Sequence, residues 1–168
     1  MSFGASDHRE LRDLVRKFAE RDVAPQAGDH DRHESFNRAL FEAAGSLGLL
    51  GVLAPEEVGG AGLDATACAL VHEELAWADP GFALAYLSHS VLFVNALARH
   101  GVTDVTRPVL QAACAGQAIG AVAMSEAGAG TDVLAMKTRA VQSEGGYVLK
   151  GTKMWITNGA QAAGGLAD

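Results

Sequence analysis

The hydrophobic period of this chain changes once, at Gly116, and that change limits what it can fold into. Before Gly116 apolar residues recur at helical spacing; after it they fall into short β-prone runs separated by glycine. Leu11, Leu14, Val15 and Phe18 share one face of a first helix over about 7–22, with Asp7 as its cap and Glu10 as the reciprocating partner before Pro25. Asp29 to Glu34 reads as a polar linker. Phe36, Leu40, Phe41, Ala44 and Leu47 mark a second helix ending near Gly48, and Asp64 opens a third with Leu70, Val71 and Leu75 inward. Pro80 begins a fourth that runs to about His100 and is apolar almost all round, which predicts a central position in a bundle. A fifth covers Thr103 to Ala115.

Beyond Gly116 the runs Ile119 to Met124, Thr138 to Val141, Tyr147 to Leu149 and Met154 to Thr157 read as strands, with Glu144-Gly145-Gly146 as a hairpin turn. The expected fold class is therefore α+β: an N-terminal all-α domain over 1–117, followed over 118–168 by the first part of an incomplete β-sheet. The tail from Ala160 to Asp168 adds no apolar strand, so the sheet is expected to be unfinished. Between helices two and three, Gly59, Gly60 and Gly62 follow Pro55-Glu56-Glu57-Val58. This is an ordered loop whose backbone angles a side chain would hinder.

Charge and cysteine content exclude several functions. The net charge of -7, from 13 basic and 20 acidic residues, has no basic stripe that would neutralise phosphates, so nucleic acid is not an expected partner. The apolar run Phe82 to Val94 is interrupted by Ser88-His89-Ser90 and falls short of a bilayer span, so no membrane is expected either. Met1 to Asp7 lacks the pattern of a secretory or transit peptide. Cys68 and Cys114 lie far apart in helical patterns, as buried thiols rather than a disulfide or metal pair, and a cytoplasmic location fits them. His72-Glu73-Glu74-Leu75-Ala76 places alanine where a zincin needs its second histidine, so no metal is expected. His30 and His33 read as solvated, and His89 as a satisfied core histidine.

Two segments after Gly116 carry chemistry. In Val122-Ala123-Met124-Ser125-Glu126-Ala127-Gly128-Ala129-Gly130-Thr131-Asp132, a glycine turn lies between two hydroxyls. Backbone N–H groups and uncharged hydroxyl donors presented together suit a pyrophosphate or the polar edge of a flavin. The turn lacks the third small residue and following helix of a Rossmann fingerprint, and it lacks the Gly-Lys-Ser/Thr of a P-loop. In Gly151-Thr152-Lys153-Met154-Trp155-Ile156-Thr157-Asn158-Gly159, strand alternation would put Trp155 and Thr157 on one face. An indole beside a hydroxyl there could pack on an isoalloxazine and hydrogen-bond its edge. Each segment alone is equally what an ordinary sheet turn and a core tryptophan look like.

Together the two segments resemble the acyl-CoA dehydrogenases, through Ser-Glu-x-x-x-Gly-Thr-Asp followed by Lys-Met-Trp-Ile-Thr-Asn-Gly. Leu47 to Gly51, Ala54 to Gly60, Gly62-Leu63-Asp64 and Glu73 to Ala76 are similar to that family's helical domain, so the likeness covers about 7–160. Leu84 to Ser90, Asn95 to Gly101 and Ile119 to Glu126 look most like its isovaleryl-CoA dehydrogenase branch. The resemblance implies an FAD-dependent oxidation of a short or branched acyl-CoA to the 2-enoyl-CoA on a β-barrel-like middle domain. It also implies electron-transferring flavoprotein as acceptor and a homotetramer. Val122, Ala123, Met124, Ser125, Gly130 and Thr131 would line FAD, with Trp155, Ile156 and Thr157 completing the wall and Thr131 also approaching the acyl-CoA. Thr131 replaces a commoner serine and keeps the hydroxyl; Ala127-Gly128 lacks a frequent proline, which loosens the turn.

The family's base is a glutamate beyond the β-domain, and no residue here matches it. Glu126 reads as a structural hydrogen-bonding group, not a base. A truncated non-catalytic binding or assembly module, or a flavin oxidase or monooxygenase of the same fold, is the competing reading. On the dehydrogenase reading the 168-residue chain alone is expected to form no enoyl-CoA. Robust formation in an acceptor-coupled assay would contradict it.

Overall fold

The computed structural model describes residues 5–162. The expectations for Met1 to Gly4 and for the tail 163–168 lie outside the described residues. Helix α1 (Ala5–Phe18) continues through a π-helical turn (Ala19–Val23) into α2 (Ala24–Arg32). The first helix therefore runs well past Pro25 and absorbs most of the expected linker. Pro25 is tolerated because it falls in the first turn after the π segment, where a missing N–H does least harm. Asp7 lies inside the first turn of α1 rather than at its cap. His30 and His33 sit at the end of α2, where His30 Nδ1 lies 2.8 Å from Ser35 Oγ and His33 Nδ1 2.8 Å from the Asp29 carbonyl.

Helix α3 (Arg38–Ser46) is capped by Asn37, whose side chain accepts from the Leu40 N–H at 3.0 Å. Helix α4 (Ala65–Ala78) is capped by Asp64, which accepts from Ala67 N–H at 2.8 Å. Asp79 does the same for α5 (Pro80–Tyr86), accepting from Gly81 and Phe82 N–H at 2.9 and 3.1 Å, with Pro80 at the start. From α5 the helix runs on as a π stretch (Leu87–Asn95) into α6 (Ala96–His100), and α7 (Thr106–Cys114) completes the bundle.

Pro80–His100 is 21 residues and apolar enough, by length and composition, to cross a membrane. The sequence argument from its shortness therefore fails. Packing settles its position: Tyr86, Ser88, His89, Ser90 and Val94 are buried among α4, α7 and the 49–51 turn. Nor is it buried all round, since Leu84 and Leu92 are about half exposed.

The core packs Val15 and Phe18 of α1, Phe41 of α3, Val71 and Leu75 of α4, and Phe82 and Tyr86 of α5. Burial of each large apolar side chain contributes roughly 1.5–3 kcal/mol. Ala54, Val58, Val94, Leu110 and Cys114 form a second cluster beside α7. Cys68 and Cys114 are buried free thiols, as the sequence predicts. One charge is buried as well: Glu74 of α4, 2% exposed, pairs with Arg16 and lies 3.5 Å from Arg12, both on α1. Arg16 also stacks over Trp77, 4.4 Å from the ring centroid. A long polar face of α1 is thereby fixed to α4.

The loop of 51–63 is ordered by backbone bonds, Ala61 N–H to Gly51 C=O at 2.9 Å and Leu63 N–H to Val52 C=O at 2.8 Å among them. Gly59 and Gly62 take left-handed φ of 81° and 62°. Gly60 is needed for space, because a Cβ there would lie 2.1 Å from the Ala54 carbonyl oxygen.

After Gly116 the described sheet is one antiparallel hairpin, β1 (Arg139–Ser143) with β2 (Gly146–Lys150), in register Arg139 opposite Lys150 and Ser143 opposite Gly146. Gly145 takes φ 82° at the expected turn. The runs Ile119 to Met124 and Met154 to Thr157 are not strands. Trp155 adopts φ 59° and Asn158 φ 65°, which breaks the alternation, so Trp155 and Thr157 do not share a strand face. A short helix, α8 (Gly159–Ala162), follows.

Gly60→Ala is expected to lower stability by about 1–3 kcal/mol, as overpacking against rigid backbone does. Urea unfolding measures this, and an unchanged midpoint would contradict the close approach.

Candidate functional site

The 119–126 and 151–158 segments meet against the long helix Pro80–His100. Its buried His89 accepts the Gly120 N–H at Nδ1, 2.8 Å, and donates from Nε2 to the Ala113 carbonyl, 3.1 Å. These two bonds require the neutral Nε2–H tautomer. The imidazole lies edge-on to Phe41 at 4.9 Å. Burial pushes its pKa down to about 4, with the Ala113 carbonyl opposing. Gly120 is held on its other side too, for Asn158 Nδ2 donates to the carbonyls of Ala85 at 2.9 Å and Gly120 at 3.3 Å. A side chain at 120 would strike the Phe93 ring, 2.0 Å from the position of a Cβ. Ser88 Oγ donates to the Thr157 carbonyl at 3.4 Å.

Two residues beyond Gly120 the first motif begins. Met154 N–H donates to Ser125 C=O at 3.0 Å, so the two motifs lie side by side at Met124 to Glu126 and Lys153-Met154. Glu126 and Ala129 exchange backbone bonds of 3.0 and 3.1 Å, closing the turn over the buried Ala129. The Glu126 carboxylate accepts Thr138 Oγ1–H at 2.6 Å, Lys137 N–H at 2.7 Å, Thr138 N–H at 2.9 Å and Lys153 Nζ–H at 2.9 Å. Led by the Thr138 hydroxyl, these donors pull its pKa down to about 2. Held ionised by four donors, the carboxylate has the structural role expected from sequence and is too weak a base to take up a substrate proton effectively at neutral pH.

The predicted site residues divide accordingly. Val122 and Ser125 are half-buried, while Ala123, Met124, Gly130 and Thr131 are exposed. Ile156 and Thr157 are half-buried, and Trp155 is 86% exposed. Among the described residues, the hydroxyls of Ser125, Thr131 and Thr157 have no hydrogen-bond partner, and no hydrogen bond joins Thr131 to the second segment. Gly128 and Gly130 do not take positive φ, and a Cβ at either would meet nothing within 4 Å. Neither glycine is required by the packing of the described chain. Free hydroxyls, an outward indole and side-chain-free turn positions are groups of the kind that a flat ligand with polar edges, such as a flavin, can engage.

Lys153 and Asn158 act as positioning groups that motif reading passed over, and His89, the satisfied core histidine expected from sequence, acts as a third. Asn before Gly at a chain reversal, and a Ser-His-Ser triplet inside an apolar helix, are the signals that point to the last two.

A helical domain that holds the opening segments of a β-domain through polar contacts defines the class of this protein. Residues 5–117 match the family described as acyl-CoA dehydrogenase, N-terminal domain, and residues 121–166 the acyl-CoA dehydrogenase, middle domain. The chain belongs to the acyl-CoA dehydrogenase family. It is similar to the mitochondrial isovaleryl-CoA dehydrogenase of Pongo abelii, with 40% identity over 160 residues, 94% of this chain and 38% of that protein. It thus spans about two fifths of that relative's length. A solved structure described as an electron transferring flavoprotein of Acidaminococcus fermentans superposes with a TM-score of 0.89 at 32% identity, covering 96% of this chain and 43% of that one. An acyl-CoA dehydrogenase of Bacillus anthracis, solved in complex with FAD, gives a TM-score of 0.85 at 35% identity over 94% of this chain and 27% of its own.

Because the folded His89 resists protonation down to about 4, its contribution to stability is complete above its ordinary pKa of about 6.5 and is lost as the pH falls from there towards 4. The loss is on the order of 3 kcal/mol. His72, lowered by burial, adds the same sign. Urea midpoints between pH 7 and about 5.5, above the range where carboxylates titrate, should fall steadily; a flat profile would contradict the neutral bridge.

Proposed function

We propose that this chain supplies the flavin-facing segments of an FAD-dependent acyl-CoA dehydrogenase acting on a short or branched, isovaleryl-like acyl-CoA. The observation that carries the proposal is the Met154 N–H to Ser125 C=O bond, which sets the hydroxyl-flanked turn and the Trp155 segment side by side. Val122 to Ser125, Gly130 and Thr131 hold the polar edge of the cofactor there, and Trp155, Ile156 and Thr157 form its wall. Ser125 and Thr131 donate without adding charge, and Thr131 faces the acyl thioester. Trp155 excludes water from one side of the ring system. When bound, FAD supplies a hydride acceptor for the substrate β-carbon, the product being the 2-enoyl-CoA.

The likeness to isovaleryl-CoA dehydrogenase supports the choice of acyl group. Electron-transferring flavoprotein as the electron acceptor and a homotetrameric assembly belong to the same proposal. So does a cytoplasmic setting, which the two free thiols favour.

FAD titration of the purified chain, followed by the visible spectrum, tests this reading. FAD should bind weakly, and Ser125→Ala or Thr131→Ala should each weaken binding further, up to about tenfold, the value of one hydrogen bond. No uptake of FAD, or rapid oxygen consumption by the reduced protein, would overturn it.

A further inference from the structure

Lys153 is an unusual lysine for so open a part of the chain. Its side chain is only 20% exposed, while every residue of the neighbouring hairpin β1–β2 is exposed. The ammonium has three N–H donors, and each has a separate acceptor: the Met124 carbonyl at 2.9 Å, Glu126 Oε1 at 2.9 Å and Met136 Sδ at 3.3 Å. These acceptors belong to the hydroxyl-bearing turn and to the chain that leaves it. Glu126 also binds the chain that leaves the turn, through Lys137 and Thr138. Thr138 can reach it because residue 151 is glycine, where a Cβ would lie 2.2 Å from the Thr138 hydroxyl.

We propose that Lys153 is a positioning residue for the flavin-facing surface, fixing the 122–131 turn against the 151–157 segment through Glu126 and the Met124 carbonyl. The proposal rests on the reading of that surface as a flavin site. Lys153 need not touch the cofactor; it sets where Ser125 and Trp155 stand relative to one another. A tetrahedral ammonium suits three acceptors that diverge, whereas a planar guanidinium matches acceptors lying in one plane. Lys153→Arg therefore keeps the charge and the Glu126 contact but not all three bonds.

The test compares the unaltered chain with Lys153→Met and Lys153→Arg by amide hydrogen exchange and by FAD titration. In Lys153→Met the Met154 amide should exchange at least about tenfold faster and the Kd for FAD should rise by a similar factor, as for the loss of charge-assisted bonds. Amides of the Pro80–His100 helix should be unchanged, and Lys153→Arg should recover part of both effects. Unchanged protection at Met154 overturns the proposal, as does faster exchange with an unaltered Kd. Absence of FAD uptake by the unaltered chain sinks the flavin reading instead, while the exchange comparison still decides whether Lys153 fixes the two segments.

Discussion

The junction between the two halves of this chain depends on one neutral histidine. His89 is buried in the middle of the longest helix, and its two nitrogens face opposite demands, one accepting from Gly120 and the other donating to Ala113. Burying an imidazole is costly unless both nitrogens are satisfied, and these two partners come from different parts of the fold. Ala113 belongs to α7, and Gly120 to the first stretch after the helices end. The bond to Gly120 therefore sets where the chain leaves the bundle. Asn158 secures the same glycine from the far end of the second motif. Gly120 and Asn158, 38 residues apart along the chain, thus anchor the two motifs next to each other before any contact between them is counted.

From that anchor the site is assembled outward by polar bonds rather than by a β-ladder. Met154 to Ser125 is a single backbone bond, and further order comes from the Glu126 carboxylate, which accepts from four donors. This arrangement leaves the hydroxyls of Ser125, Thr131 and Thr157 unengaged while the turn itself is fixed. Preorganised donors on a rigid support are what orient a ligand at low entropic cost. The Gly128 and Gly130 positions add room for close approach from outside the described chain.

Much of the helical half was legible because its signals are local. Asp64, Pro80, and the 3.6 period of Val71 and Leu75 each act within one or two turns, and the helices begin where those residues predict. The first helix defeated the same reasoning, since a π turn let it pass Pro25 and swallow a charged stretch that resembled a linker. In the second half the hairpin was legible from Glu144-Gly145, but the alternation at Met154 to Thr157 was misleading. A left-handed Trp155 is a choice made by long-range bonds through Asn158 and Met154, and no period records it. The flavin-facing residues were named through the family resemblance of the two motifs, and His89 was legible as a satisfied core histidine. The partners of His89 and the holding role of Lys153 were not, because both depend on groups distant in sequence.

The tautomer and charge of His89 test this account most directly. Long-range proton–nitrogen correlation spectra of the chain at neutral pH should show a neutral ring protonated at Nε2, with the Gly120 amide proton shifted downfield by its bond to Nδ1. A ring protonated at Nδ1, or a charged imidazolium, would mean that Gly120 is not held by His89. The link between the helical domain and the flavin-facing segments would then have to be rebuilt.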